Sequence, residues 1–500
     1  MTLGTGSVQG TVSAGQRAFL GIPYAAPPVA TLRWKPPQAH EAWITTREAK
    51  RFSVPCAQPI TDAQGRPAIL GNEDCLYLNV YGPVEGTPLP VLVFIHGGAY
   101  RNGAGSDYDA AELSRKGQVV VVTVNYRLGV FGFLAHPGLT SESPSGASGQ
   151  YGLLDQRFAL EWVKRNIAAF GGDPGNTTLM GQSSGAYSVC NQLASPSSVG
   201  LFHKVILESG ACTSRSASLP LVQAEAAGAA FAETVGCSGG DATACLRGVA
   251  MACLVGAVAT ERIGSSLGWA PAAGGTLWPK SSADATAAGE LLRVPTLSGT
   301  NHDEYRVFAA LQELGQGGPI SAGQYTGFVN GAFGGGANAV LAAYPPSAFA
   351  APDVAQSALL TDFAFACPVR TTANVLSANV ETYVYEFDDP TAPKQVPGPF
   401  IDQRAYHGAE LTFLFRQPMS AWGFGPLAAL DVNQQALADQ MIKYWGSFAA
   451  TGNPNNAGSP TWPRYFASSQ GVQRLAQGAV STIFTFGADH RCDLWAGFGA

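Results

Sequence analysis

Charge is scarce in this chain. Of 500 residues only 13% are Asp, Glu, Lys or Arg, and the formal net charge is -6. No run of Lys and Arg is long enough to follow a phosphate backbone, so no nucleic-acid partner is expected. Long apolar runs are missing too. Val119 to Val124 is far shorter than the ~20 residues that cross a bilayer, so no membrane span is expected. The N-terminus, Met1-Thr2-Leu3-Gly4-Thr5-Gly6, has neither a charged n-region nor an apolar h-region. That leaves a cytoplasmic protein or one whose signal peptide has been removed. The seven histidines do not cluster and the nine cysteines form no paired C-x-x-C sets, so no metal site is expected.

Hydrophobic residues, at 46%, are abundant enough for a large core. The odd cysteine count predicts several bridges and at least one free thiol. Cys56, Cys75, Cys237, Cys245, Cys367 and Cys492 stand in polar, loop-like surroundings, which favours an oxidising compartment. A secreted or periplasmic location is therefore expected over a cytoplasmic one.

Gly4 to Gly15 alternates like a strand pair, and Ala18 to Tyr24 and Leu76 to Tyr81 read as further strands. Pro90 to Ile95 and Val119 to Asn125 are continuous apolar runs of the kind buried on both faces of a parallel sheet. A helical pattern at Tyr108 to Lys116 joins them into a β-α-β unit. Asp155 to Ala169 is helical, Val205 to Leu207 extended, and Val294 to Gly299 and Thr382 to Phe387 extended again. The alternation predicts a doubly wound α/β sheet with helices on both faces. Ala- and Gly-rich helical blocks at about 217–289 and 305–370 fall between sheet strands. They predict cap insertions in a single domain over 1–500.

The chemistry begins at Gly181-Gln182-Ser183-Ser184-Gly185, between a β-rich run and a helix start. A G-x-S-x-G sequence there is a nucleophile elbow, with small residues flanking a serine pushed out above the sheet. Its hydroxyl needs a base. His96 precedes Gly97-Gly98 at a strand end and suits an anion-binding loop better; His203 reads as structural. His302, beside Asp303 and Glu304, is a rival to His407, which lies in a late loop. The chain order Ser, acid, His favours His407. Composition does not choose between Asp303 and Glu304 as the acid. Backbone N–H groups of Gly97 and Gly98, with that of Ser184 at the helix start, fit an oxyanion hole.

Phe19-Leu20-Gly21-Ile22-Pro23-Tyr24-Ala25, Leu32-Arg33-Trp34, Glu73-Asp74-Cys75-Leu76-Tyr77-Leu78-Asn79-Val80 and Asn125-Tyr126-Arg127-Leu128-Gly129 add to the elbow and to Phe170-Gly171-Gly172-Asp173-Pro174. Nearly end to end, the chain resembles the type-B carboxylesterase family, the group of cholinesterases and bacterial para-nitrobenzyl esterases. The resemblance implies the α/β-hydrolase fold and a triad of Ser183, Glu304 and His407. It selects Glu304 over Asp303, because Glu comes last in Gly299-Thr300-Asn301-His302-Asp303-Glu304, and sets His302 aside. It implies bridges Cys56–Cys75, Cys237–Cys245 and Cys367–Cys492, leaving Cys190, Cys212 and Cys253, and ion pairs Arg33–Glu73 and Arg157–Asp173. Cholinesterases carry a glutamate before the nucleophile where this chain has Gln182, and a tryptophan in the first disulfide loop, which is absent here. Choline esters are therefore not expected. The expected function is ester hydrolysis on small-molecule esters without a cofactor; a catalytically silent binding or adhesion protein is the alternative.

Overall fold

The computed structural model describes residues 1–61, 66–84, 88–258, 269–398, 400–415 and 425–499. Its main sheet has eleven strands: β1 (Thr11–Ser13), β2 (Gln16–Pro23), β3 (Tyr77–Pro83), β4 (Leu89–Ile95), β5 (Val120–Val124), β6 (Gly172–Gln182), β7 (Lys204–Glu208), β8 (Thr296–Asn301), β9 (Thr382–Phe387), β10 (Val472–Leu475) and β11 (Ser481–Ile483). Their spatial order is β11-β10-β9-β8-β7-β6-β4-β5-β3-β2-β1. The strands from β5 to β10 run parallel, and β1, β2, β3 and β11 pair antiparallel at the two edges.

Alternate residues of the central strands feed opposite cores. Val91, Val93, Ile95 and Leu179 pack on one side with helices α2 (Tyr151–Asn166) and α3 (Ser184–Leu193). Leu92, Phe94, Met180 and Ile206 pack on the other against Met441 and Trp445 of the helix Val432–Thr451. A parallel sheet covered on both faces needs such continuous apolar strands, which the runs at 90–95 and 119–125 supply.

The elements differ from the sequence expectation in detail. Gly4 to Gly15 splits between two pairings, Thr2–Leu3 with Gly6–Gln9, and β1 with β2. Helix α1 starts only at Ala111 and runs to Gly117; its N-cap is Ala110, with no side-chain cap, and the Asp109 carboxylate accepts the Ala111 N–H. Helix α2 begins at Tyr151 and gives way at Ile167 to a 3-10 turn. The first helical block contains Leu221–Thr234, Ala242–Gly248, Met251–Val258 and Ser282–Ala287, and its 259–268 stretch lies outside the described residues. The second block runs on to Ser377.

Four disulfides are formed. Cys56–Cys75, Cys237–Cys245 and Cys367–Cys492 match the implied pairing, and Cys190–Cys212 ties α3 to the loop after β7. The Cys253 thiol is free and exposed. Four bridges fit an oxidising environment, and among the described residues no helix is long and apolar enough to cross a membrane. The Arg33–Glu73 pair is present at 2.5 Å. Arg157–Asp173 is not: Arg157 reaches Glu161 one helical turn away at 3.0 Å, and Asp173 accepts from the Gly175 N–H of its own turn. The buried arginine pair is Arg127–Asp155, with two contacts of 2.6 and 2.7 Å.

Candidate active site

The C-terminal ends of parallel strands in an open α/β sheet gather binding residues, and β4, β6 and β8 each deliver a candidate there. Ser183 directly follows β6, with φ 57° and ψ -125°. This left-handed conformation is strained for a residue with a Cβ, and strain of that kind is kept where the surroundings over-determine it. Here the Ser183 N–H donates to Glu208 O on β7 at 2.8 Å, and the Tyr187 N–H donates to Ser183 O at 3.0 Å. The flanking glycine is required by space: a Cβ on Gly185 would stand 2.0 Å from Ile95 O.

After β4, His96 leads into the Gly97-Gly98 loop. A Cβ on Gly97 would lie 3.0 Å from Ser183 Cβ, so the loop passes directly against the serine. Gly98 has φ +104°, and Ala99 and Tyr100 also have positive φ. The loop is held by Ser184, whose hydroxyl accepts the Tyr100 N–H at 3.2 Å. Among the described residues nothing accepts from the N–H groups of Gly97, Gly98 or Ser184. Burial lowers the His96 pKa to about 4, so this imidazole stays neutral in the loop.

Glu304 stands three residues beyond β8 and is fully buried. One carboxylate oxygen accepts from Thr300 Oγ1 at 2.7 Å and from the Asn301 N–H at 2.8 Å. The other faces His407 Nδ1 at 2.6 Å. The His407 N–H donates to Glu304 O at 3.0 Å, and Asn301 Nδ2 donates to Tyr406 O at 2.7 Å, so the acid loop and the histidine loop are joined along their backbones. With Nδ1–H directed at a carboxylate, Nε2 is the lone-pair nitrogen. It lies 3.4 Å from Nε2 of Gln182, the residue before Ser183. Phe308 and Phe365 flank the imidazole, with ring centroids 5.2 and 4.9 Å away.

The rivals point elsewhere. Asp303 pairs with Arg306 at 3.1 Å and Arg404 at 3.0 Å, while His302 Nδ1 meets Asp303 at 3.1 Å and not Glu304. Burial would raise the Asp303 carboxyl, but the His302 hydrogen bond and the neighbouring cations hold it below its usual value. His203 Nδ1 accepts the Thr177 N–H at 3.0 Å, a structural bond. His302, Asp303 and Asp388 come close enough to suggest a cation site, but Arg306, Arg404 and Arg474 already supply their positive charge.

The residue reading did not reach Thr300 and Asn301, which fix the acid, or Glu208 and Glu410 behind it. Trp445 Nε1 donates to Glu208 Oε1 at 2.9 Å, and Glu410 accepts from Asn301. Burial, then the charge of Glu304, pushes Glu410 up to about 7; burial, then Glu410, raises Glu208. A polar residue inside an apolar stretch was the only sequence signal for them.

The carboxylesterase family model matches residues 1–328 and 338–495. Para-nitrobenzyl esterase of Bacillus subtilis (strain 168) is 35% identical over 92% of this chain and 91% of its own length. Fumonisin B1 esterase of Sphingopyxis macrogoltabida is 35% identical over 92% of this chain and 83% of its own. A solved PNB esterase superposes with a TM-score of 0.82 at 33% identity, covering 99% of both chains. The chain belongs to the carboxylesterase family: it is a carboxylic ester hydrolase on an α/β-hydrolase fold.

Proposed function

We propose that Ser183, His407 and Glu304 form a catalytic triad that hydrolyses carboxylic esters through an acyl-enzyme, within one domain over 1–500 capped by the two helical insertions. The observation that carries this is the 2.6 Å contact from His407 Nδ1 to the buried Glu304 carboxylate, with Nε2 beside the elbow. Glu304 keeps the imidazole in the tautomer whose Nε2 accepts a proton. His407 takes the Ser183 proton as Oγ attacks the ester carbonyl. Negative charge then develops on the carbonyl oxygen, in front of the N–H groups of Gly97, Gly98 and Ser184. Each such donor is worth roughly 10²–10³ in rate. The alcohol leaves with the proton held by His407, and a water activated by the same imidazole releases the acid. Hydrolysis needs no cofactor in this scheme.

The substrate is a small-molecule ester of the bulky natural class, such as a mycotoxin or a plant phenolic ester; the relative named fumonisin B1 esterase supports bulk of this kind. The four bridges support a secreted or periplasmic site of action. Ser183→Ala should lower kcat on a short para-nitrophenyl ester on the order of 10⁴-fold or more, with an unchanged circular-dichroism spectrum. Wild-type turnover by that variant would refute the assignment.

A further inference from the structure

Arg101 is placed differently from the other arginines nearby. It continues the Gly97-Gly98 loop: its N–H donates to Gly98 O at 2.9 Å, and the Asn102 N–H does so at 3.0 Å. Asn102 Nδ2 in turn donates to Pro59 O at 2.6 Å, which binds this loop to the first disulfide loop. Arg101 lines a narrow recess whose other walls are apolar, among them Ala57, Pro59, Leu128, Phe131 and Val255. An adjoining recess shares Ala57, Leu128 and Phe131 and contains Arg33 and Arg127. Those two guanidinium groups are already matched, by Glu73 and by Asp155.

Arg101 is not matched. Its Nε is buried with no hydrogen-bond partner, and among the described residues no carboxylate pairs with it. Arg101 is half-buried, so a carboxylate arriving at the recess meets a guanidinium that no acid among the described residues neutralises. A guanidinium fork fits a planar carboxylate through two parallel N–H bonds.

We propose that this recess recognises a carboxylate carried by the ester substrate, with Arg101 as the specificity-determining residue. The inference rests on the esterase reading, since the ester carbonyl is placed at Gly97 and Gly98 of the same loop. The preferred substrates are then half-esters of dicarboxylic acids or esters of carboxylated alcohols. The neutral ester is the weaker substrate.

Two matched pairs test this and separate the two sources of the carboxylate. Mono-para-nitrophenyl glutarate against its methyl-capped form places the charge on the acyl side; 4-acetoxybenzoate against its methyl ester places it on the alcohol side. A charge-assisted hydrogen bond predicts that the wild type favours the carboxylate in one pair by about tenfold or more in kcat/KM. Arg101→Met should bring that ratio to about one or below, and Arg101→Lys should retain part of it. The ratio is taken within each protein, so a general loss of activity does not mimic the effect. A wild-type ratio at or below one in both pairs, or a ratio unchanged in Arg101→Met, overturns the inference. Failure to hydrolyse any of the four esters, charged or neutral, would instead count against the esterase reading, and against this inference with it.

Discussion

At the residue scale the decisive contrast is between Asp303 and Glu304, neighbours that point into different environments. Asp303 is engaged by two arginines and His302, whereas Glu304 meets only hydrogen-bond donors and His407. Glu304→Gln should lower kcat by about 10³–10⁴, because an amide no longer enforces the required tautomer. Asp303→Asn should cost less than about tenfold, and steady-state kinetics on one ester compares the two. Ser183 and His407 could be proposed from the sequence because a motif and a chain order single them out, and the structure sets the His407 imidazole beside Gln182, the residue before Ser183. The choice of acid was not, since adjacent carboxylates differ only in their contacts; it came from family resemblance. Thr300 and Asn301 gave no signal, because ordinary polar residues acquire a role only through the fold around them.

At the element scale, buried partners govern the outcome. Arg127 follows β5 and Asp155 lies on α2, so their pair ties that helix to the segment leaving β5. Arg127→Met leaves a buried carboxylate unmatched and should cost about 3–5 kcal/mol in denaturant unfolding. Removing both partners with apolar residues should cost far less. Cys190–Cys212 anchors α3, whose first turn follows Ser183. Its replacement by two alanines should cost about 2–4 kcal/mol. The strands were legible because β4 and β5 are unbroken apolar runs, and parallel strands buried on both faces admit little else. Helix boundaries were less so: α1 starts late, at Ala111, with no side-chain cap to mark it, and the Arg157–Asp173 expectation failed because Glu161 is one turn away on the same helix.

At the scale of the whole molecule the C-terminal segment is locked by charge as well as by Cys367–Cys492. His490 is buried between Asp362 at 2.5 Å and Glu386 at 2.7 Å. Burial alone would lower its pKa, but the hydrogen bonds to these two carboxylates outweigh that and hold it at about 10, against 6.5 for a free imidazole. Tyr344, Arg491 and His302 also face this cluster. Because the folded state keeps the proton, the stabilisation is complete below pH 6.5 and is lost as pH rises to about 10. His490→Gln should therefore be about 3–5 kcal/mol less stable than the wild type at pH 6, with the gap narrowing by pH 10. An unfolding series across that range reads it directly.

The central claim is that Ser183 becomes the acyl carrier when His407 takes its proton. Intact-mass and peptide-mass analysis after rapid quenching with a slowly turned-over para-nitrophenyl ester tests it most directly. One acyl group per chain, mapped to the Ser183 peptide and missing in His407→Ala, is the predicted result. Ester turnover with the acyl group on another residue, or undiminished acylation of Ser183 in His407→Ala, would contradict it.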